Sequence, residues 1–386
     1  MVPPAITILA VWAAGLGAAA QFGKVSLAFG PLQDLYPGAG AAGAGLIVSL
    51  VGVVGLVFGA SAGLVVSRIG LRRVMVAALA AGAAVSAAQA MLPPFPAMLA
   101  LRVVEGVSHL AIVVVGPVAI AQATPARHIG LTMTLWSSFF GVAYALLGLI
   151  APPVLAAGGV PALFLGHAGW MAVLALALAA AMPRDRAAAA ETGPGWIARH
   201  AAIYASPRIA APALGFVFYA GLYVAILTLL PPMLPDRLRD PAAVGMPLVS
   251  IAVSLTLGVW LLSRAAAVVV VQAGFAVALA ASILLVAGWG HGAPMLAAAL
   301  VLAGALGIVQ GASFAAIAAL NGTPEDRARA AGAVAQLGNL GTTTGTPLLG
   351  AAVAALGPTG LAVVAVPACA AGIALHAWAA ARRRRG

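Results

Sequence analysis

Apolar runs of about twenty residues, the length a helix needs to cross a bilayer, alternate along this chain with short connectors in which glycine, proline and arginine gather. The runs fall at roughly 4–30, 41–66, 71–91, 95–122, 129–156 and 160–182, and then at 209–233, 243–262, 265–288, 294–320, 330–354 and 358–380. Period-two alternation is absent, which removes a β-barrel from consideration. The pattern predicts an all-α membrane protein of twelve transmembrane helices in two pseudo-symmetric six-helix bundles, 1–182 and 209–386, joined by a cytoplasmic linker over 183–208. In that linker, residues 196–204 read either as a short interfacial helix, with Trp196 and Tyr204 at headgroup level, or as a plain solvated connector.

Composition agrees and adds one exclusion. With 63% hydrophobic and 7% charged residues and a mean hydropathy of +1.12, the chain cannot clothe a soluble domain in a wetted surface. The net charge of +11 reports topology and not a nucleic-acid partner. Fifteen of the 19 basic residues fall in connectors on one side, while the other side has only Arg237 and Arg239 outside the spans. The positive-inside rule therefore predicts both termini in the cytoplasm of a cell with this protein in its inner (plasma) membrane. A lone cysteine, Cys369, permits no intramolecular disulfide and no cysteine-cluster metal site.

Three charges break the apolar pattern. Lys24, Arg102 and Glu105 sit inside spans, where an ionisable group is costly and marks function by default. From the span ends, Lys24 lies roughly 9 Å below the outer surface, Arg102 roughly 10 Å and Glu105 roughly 15 Å, at 1.5 Å per residue. Arg102, Glu105 and His109 share one helix face by their i, i+3, i+7 spacing, and Gln21 pairs with Lys24 at i, i+3. Two cations then surround one carboxylate. Lys24, Arg102 and Gln21 are expected to attract an anionic substrate, with Glu105, or else His109, carrying a proton. The competing reading makes Glu105 a static counter-ion that fixes helix packing. The second half has no charge within its spans. Its candidates are Tyr219 with Tyr223, Gln310 with Ser313, and Gln336 with Asn339, each pair on one face, whereas Thr342, Thr343 and Thr344 are expected to bond backbone carbonyls.

Two local patterns carry a family resemblance. Between the second and third spans runs Gly63-Leu-Val-Val-Ser67-Arg68-Ile-Gly70-Leu-Arg72-Arg73, and in the fourth span Arg102-Val-Val-Glu105-Gly106. The first resembles the loop motif of the major facilitator superfamily, and the second its Arg-x-x-Gln-Gly element. Twelve spans divided six and six extend the resemblance over the whole chain. It implies a secondary transporter working by alternating access, with Gly63, Ser67, Arg68, Gly70, Arg72 and Arg73 as a gating loop. Ser67 stands where the family usually has an aspartate, so the gate is expected to rest on hydroxyl hydrogen bonds or to be weaker. The fifth span lacks the glycine-proline motif of family exporters, which favours uptake.

No phosphate loop, paired-histidine zinc helix or nucleophile elbow is present, so no enzyme activity, cofactor or metal is expected. The reading is a proton-coupled transporter of a small organic anion, acting as a monomer among membrane lipids. Its alternatives are a proton antiporter expelling amphipathic drugs or metabolites, and a non-transporting membrane sensor or scaffold.

Overall fold

The computed structural model of the protein describes residues 3–59, 61–125, 128, 132, 133, 135, 136, 138–185 and 196–385. These form helices joined by short turns, with no strand among the described residues. Nine helices among them are long and apolar enough to cross a membrane. One is 43 residues long, Phe139–Ala181, and breaks at Gly159, whose φ of 64° is non-helical. It therefore holds the predicted fifth and sixth spans, whose connector has shrunk to a kink flanked by Pro152, Pro153 and Pro161. The second span is itself interrupted, with helix over Gly40–Ser49 and Val53–Phe58 and a 3₁₀ turn at Leu50–Gly52 between them. Together with the 33-residue helix Pro324–Leu356, these segments bring the spans to the twelve expected.

Contacts divide the chain into two compact units, one of Met1–Ala39 with Leu50–Gly193 and one of Gly40–Ser49 with Pro194–Gly386. In the first unit, α1 (Pro4–Leu27), α2 (Leu71–Ala90), α3 (Phe95–Ala123) and α4 (Phe139–Ala181) pack on one another. Proline opens both α1 and α3 in the first turn, where its missing N–H costs no hydrogen bond. Val11, Met75, Leu79, Ile112, Val115 and Met171 make a dry core between these helices. Gly106 on α3 lets the Leu50–Gly52 turn come close, since a Cβ there would lie 2.4 Å from the Val51 carbonyl oxygen. That close approach gives a physical reason for the glycine that ends the Arg102–Gly106 element.

The second unit contains α5 (Trp196–Ala205), α6 (Ala211–Met233), α7 (Asp236–Leu262), α8 (Ala267–Ala287), α9 (Gly292–Leu320), α10 (Pro324–Leu356) and α11 (Thr359–Arg385). α6 packs on α10 and α11, and α8 lies between α9 and α11. The linker segment folds as the short helix α5. It is anchored by buried Ile203 and by the Tyr204 hydroxyl, which donates to Gln336 Oε1 of α10 at 2.8 Å. Burial pushes the Tyr204 phenol up to about 12, so it remains a neutral donor across the physiological range. The side chain of Trp196 lies outside the described residues.

Candidate functional site

Four helices of the first unit bring polar groups to one point. α1 supplies Lys24, α2 supplies Ser86 and Gln89 one turn apart, α3 supplies Arg102 and Glu105 one turn apart, and α4 supplies Phe164 and His167. Lys24, Arg102 and Glu105 are each 0% exposed. The Lys24 ammonium donates to Glu105 Oε1 at 2.7 Å, to Ser86 Oγ at 2.7 Å and to Gln89 Oε1 at 2.9 Å. It also lies 3.2 Å from His167 Nδ1 and 4.9 Å above the centre of the Phe164 ring. The second carboxylate oxygen of Glu105 accepts from Arg102 and from Gln89 Nε2 at 2.8 Å.

Backbone carbonyls fix the direction of these bonds. The Ser86 hydroxyl donates to the Phe164 carbonyl at 2.9 Å, and the His167 Nε2–H donates to the Gly17 carbonyl at 3.0 Å. Ser86 Oγ and His167 Nδ1 therefore turn acceptor lone pairs toward Lys24. The three ammonium protons are shared among these four acceptors. The cluster thus holds two cations, one carboxylate and a neutral imidazole, leaving one positive charge uncompensated within it. Glu105 ties α3 to α1 through Lys24 and to α2 through Gln89, and each pairing is strengthened by exclusion of water.

The other first-unit candidates stand beside this cluster. Gln21 Nε2 donates to Ser108 Oγ at 3.0 Å. The His109 Nδ1–H donates to the Ala18 carbonyl at 3.0 Å, and its ring meets the Phe22 ring edge-on at 5.1 Å. Among the second-unit candidates, Tyr219 and Tyr223 stack on each other with ring centres 5.3 Å apart. Asn339 Nδ2 donates to the Ala335 carbonyl at 2.7 Å, while Gln310 is half-buried. Ser313 is buried, and its hydroxyl has no hydrogen-bond partner among the described residues. Thr342 and Thr344 bond backbone carbonyls as expected, but the buried Thr343 hydroxyl has no such partner among the described residues.

In the basic loop, Gly70 has a φ of 104° and leads directly into α2. Gly63 stands in the short helix Ala62–Ile69, the side chain of Ser67 lies outside the described residues, and Arg68 is exposed. An acid nevertheless serves the loop, from the far end of α4. The Asp185 carboxylate accepts the backbone N–H of Arg72 and of Arg73, both at 2.9 Å, capping the positive end of α2 from 112 residues away. Gly70 makes room for it, because a Cβ there would meet the Asp185 carboxyl carbon at 2.2 Å. The Arg72 guanidinium in turn donates to the Ala179 carbonyl of α4, through Nε at 3.0 Å. Asp185→Ala is expected to cost about 0.5–2 kcal/mol, the usual loss of a helix cap, and Asp185→Asn less, as a lower melting temperature of the purified protein.

Sequence reasoning did not single out Ser86, Gln89, His167 or Asp185. Ser86 and Gln89 did carry a signal, two polar residues three apart in an apolar span.

A family model described as Major Facilitator Superfamily matches residues 6–319. A search of curated protein sequences finds no match. Among solved structures, the chain superposes on a bacterial homologue of the human lysosomal transporter Spinster with a TM-score of 0.73 at 14% identity, covering 100% of this chain and 97% of that one. That homologue is described as inward-facing and occupied; its unoccupied form gives 0.70 at 14% identity, with 99% and 96% covered. The human organic anion transporter MFSD10 (TETRAN) gives 0.69 at 18% identity, with 97% and 100% covered.

Proposed function

The chain belongs to the Major Facilitator Superfamily, a family of multi-pass membrane transporters, and on that premise we propose that it carries a small organic anion together with protons by alternating access. The observation behind this reading is the single uncompensated positive charge of the Lys24–Glu105–Arg102 cluster, buried in the first unit. The human organic anion transporter shares the fold at 18% identity, and the anion proposed here rests on the cations of this chain. The arginine-rich connectors support an inner-membrane location with both termini cytoplasmic.

In this mechanism Glu105 and the substrate compete for the same two cations. Protonating Glu105 withdraws its charge from Lys24 and Arg102, so the cluster gains a second uncompensated charge and attracts an anion strongly. The oxyanion of the substrate then takes the place of the carboxylate. When it leaves on the other side, the two exposed cations drive the proton off Glu105, which pairs with them again and resets the site. Proton and anion therefore travel in the same direction. Ser86, Gln89 and His167 hold the Lys24 ammonium in place through the exchange, and His109, bonded to Ala18, stands aside.

A thermal-stability screen of the purified protein tests the substrate class. Lactate, succinate and benzoate represent organic carboxylates, phosphate and sulfate inorganic anions, and tetraphenylphosphonium lipophilic cations. At least one carboxylate is expected to stabilise the protein, by about 2.7 kcal/mol at a hundredfold excess over its Kd, and to lose that effect in Lys24→Ala. Stabilisation by the lipophilic cation alone, or equal carboxylate response in Lys24→Ala, would overturn the anion reading.

A further inference from the structure

Within the second unit, α7 is not a regular α-helix. A π-helical turn at Ser254–Gly258 widens it, a deformation often found at functional positions. Beside that turn, side chains of α7, α8 and α9 enclose an apolar groove of about 330 Å³. Val253, Leu257 and Leu261 of α7 line one wall, Ala273 and Val277 of α8 another, and Gly304 of α9 part of the floor. Leu257 is 46% and Val277 48% exposed, so the groove opens on a face that meets hydrocarbon in a membrane. A helix is about 10–12 Å across with its side chains, too wide for a slot of this volume. A single alkyl chain fits its shape and its wholly apolar walls.

A cation stands at one end. Three residues beyond Leu261, the exposed Arg264 guanidinium lies 5.1 Å from the centre of the Trp260 ring. Trp260 is itself half exposed, as residues at headgroup level are. Among the described residues, no ion pair occupies Arg264. From Leu261 back to Val249, the far end of the groove on α7, the helix rises about 18 Å, close to the roughly 15 Å of one leaflet's hydrocarbon. The geometry points to a site for one anionic phospholipid, its phosphate on Arg264 and one acyl chain lying along α7 in the groove. Which leaflet supplies the lipid rests on the orientation proposed above; the binding itself does not.

Native mass spectrometry of the detergent-purified protein, incubated with equal amounts of dioleoyl phosphatidylglycerol and dioleoyl phosphatidylethanolamine, tests the site. Wild type is expected to retain one phosphatidylglycerol with about fivefold preference, the contribution of one arginine beside an anionic headgroup. Arg264→Gln should keep a lipid but lose the preference. Ala273→Phe, which fills the groove from its exposed edge, should lose the lipid altogether. Should Ala273→Phe fail to fold, as judged by its melting temperature, Val277→Phe blocks the same space and is read in the same way. Equal retention of the two headgroups by wild type, undiminished lipid in the blocked variant, or a lipid-free dimer would overturn the proposal.

Discussion

Glu105→Ala is expected to cost about 3–5 kcal/mol of stability, the usual result of removing one partner from a buried ion pair. It removes the sole carboxylate of the cluster and leaves Lys24 and Arg102, both 0% exposed, facing each other without a counter-charge. The other two members give a graded control. Lys24→Met leaves Arg102 paired with Glu105, a neutral arrangement, and puts an apolar chain of similar length beside Phe164. Its cost should be smaller, about 1–3 kcal/mol for the charge-assisted hydrogen bonds lost. Denaturation midpoints of the two purified variants check the order. Equal losses would mean that the cluster is not organised around the carboxylate.

The second large effect separates transport from folding. Because Lys24→Met remains paired and folded, its anion affinity should drop about tenfold to a hundredfold, which is 1.5–3 kcal/mol for a hydrogen bond to a charged group. Uptake of the stabilising carboxylate into proteoliposomes should fall in proportion, in addition to the loss of stability of about 1–3 kcal/mol. A purely structural cluster predicts that same loss of stability with unchanged affinity in the protein that survives. The two readings left open for Glu105 by the sequence are thereby told apart.

The helices were legible because crossing a bilayer demands about twenty apolar residues, and Lys24, Arg102 and Glu105 were legible because charge inside such runs is rare. What escaped were groups whose role depends on which helix lies next to which. Ser86, Gln89 and His167 are ordinary polar residues of apolar spans until α2 and α4 are packed against α1, when they enclose Lys24. Asp185 escaped for a similar reason, since its partners are 112 and 113 residues away. Ser67 was read as a gap in a local motif, although the acid for that loop, Asp185, arrives from the segment just past the end of α4. The break at Gly159, by contrast, was legible: its non-helical φ of 64° falls at the boundary expected between the fifth and sixth spans.

Comparison of the cluster with the proposed cycle also predicts how wild type and Glu105→Gln differ. The glutamine keeps the size and hydrogen-bonding reach of the protonated acid but cannot carry charge, so it should hold the cluster in its anion-seeking form. The central claim is that one proton on Glu105 accompanies each anion, and the dissociation constant of the stabilising carboxylate measured against pH tests it most directly. Above the range where free Glu105 binds its proton, wild-type Kd should rise tenfold per pH unit, as linkage of one proton to one ligand requires, while Glu105→Gln binds with a Kd that does not change with pH. A flat wild-type profile, or the same slope in Glu105→Gln, would contradict the account.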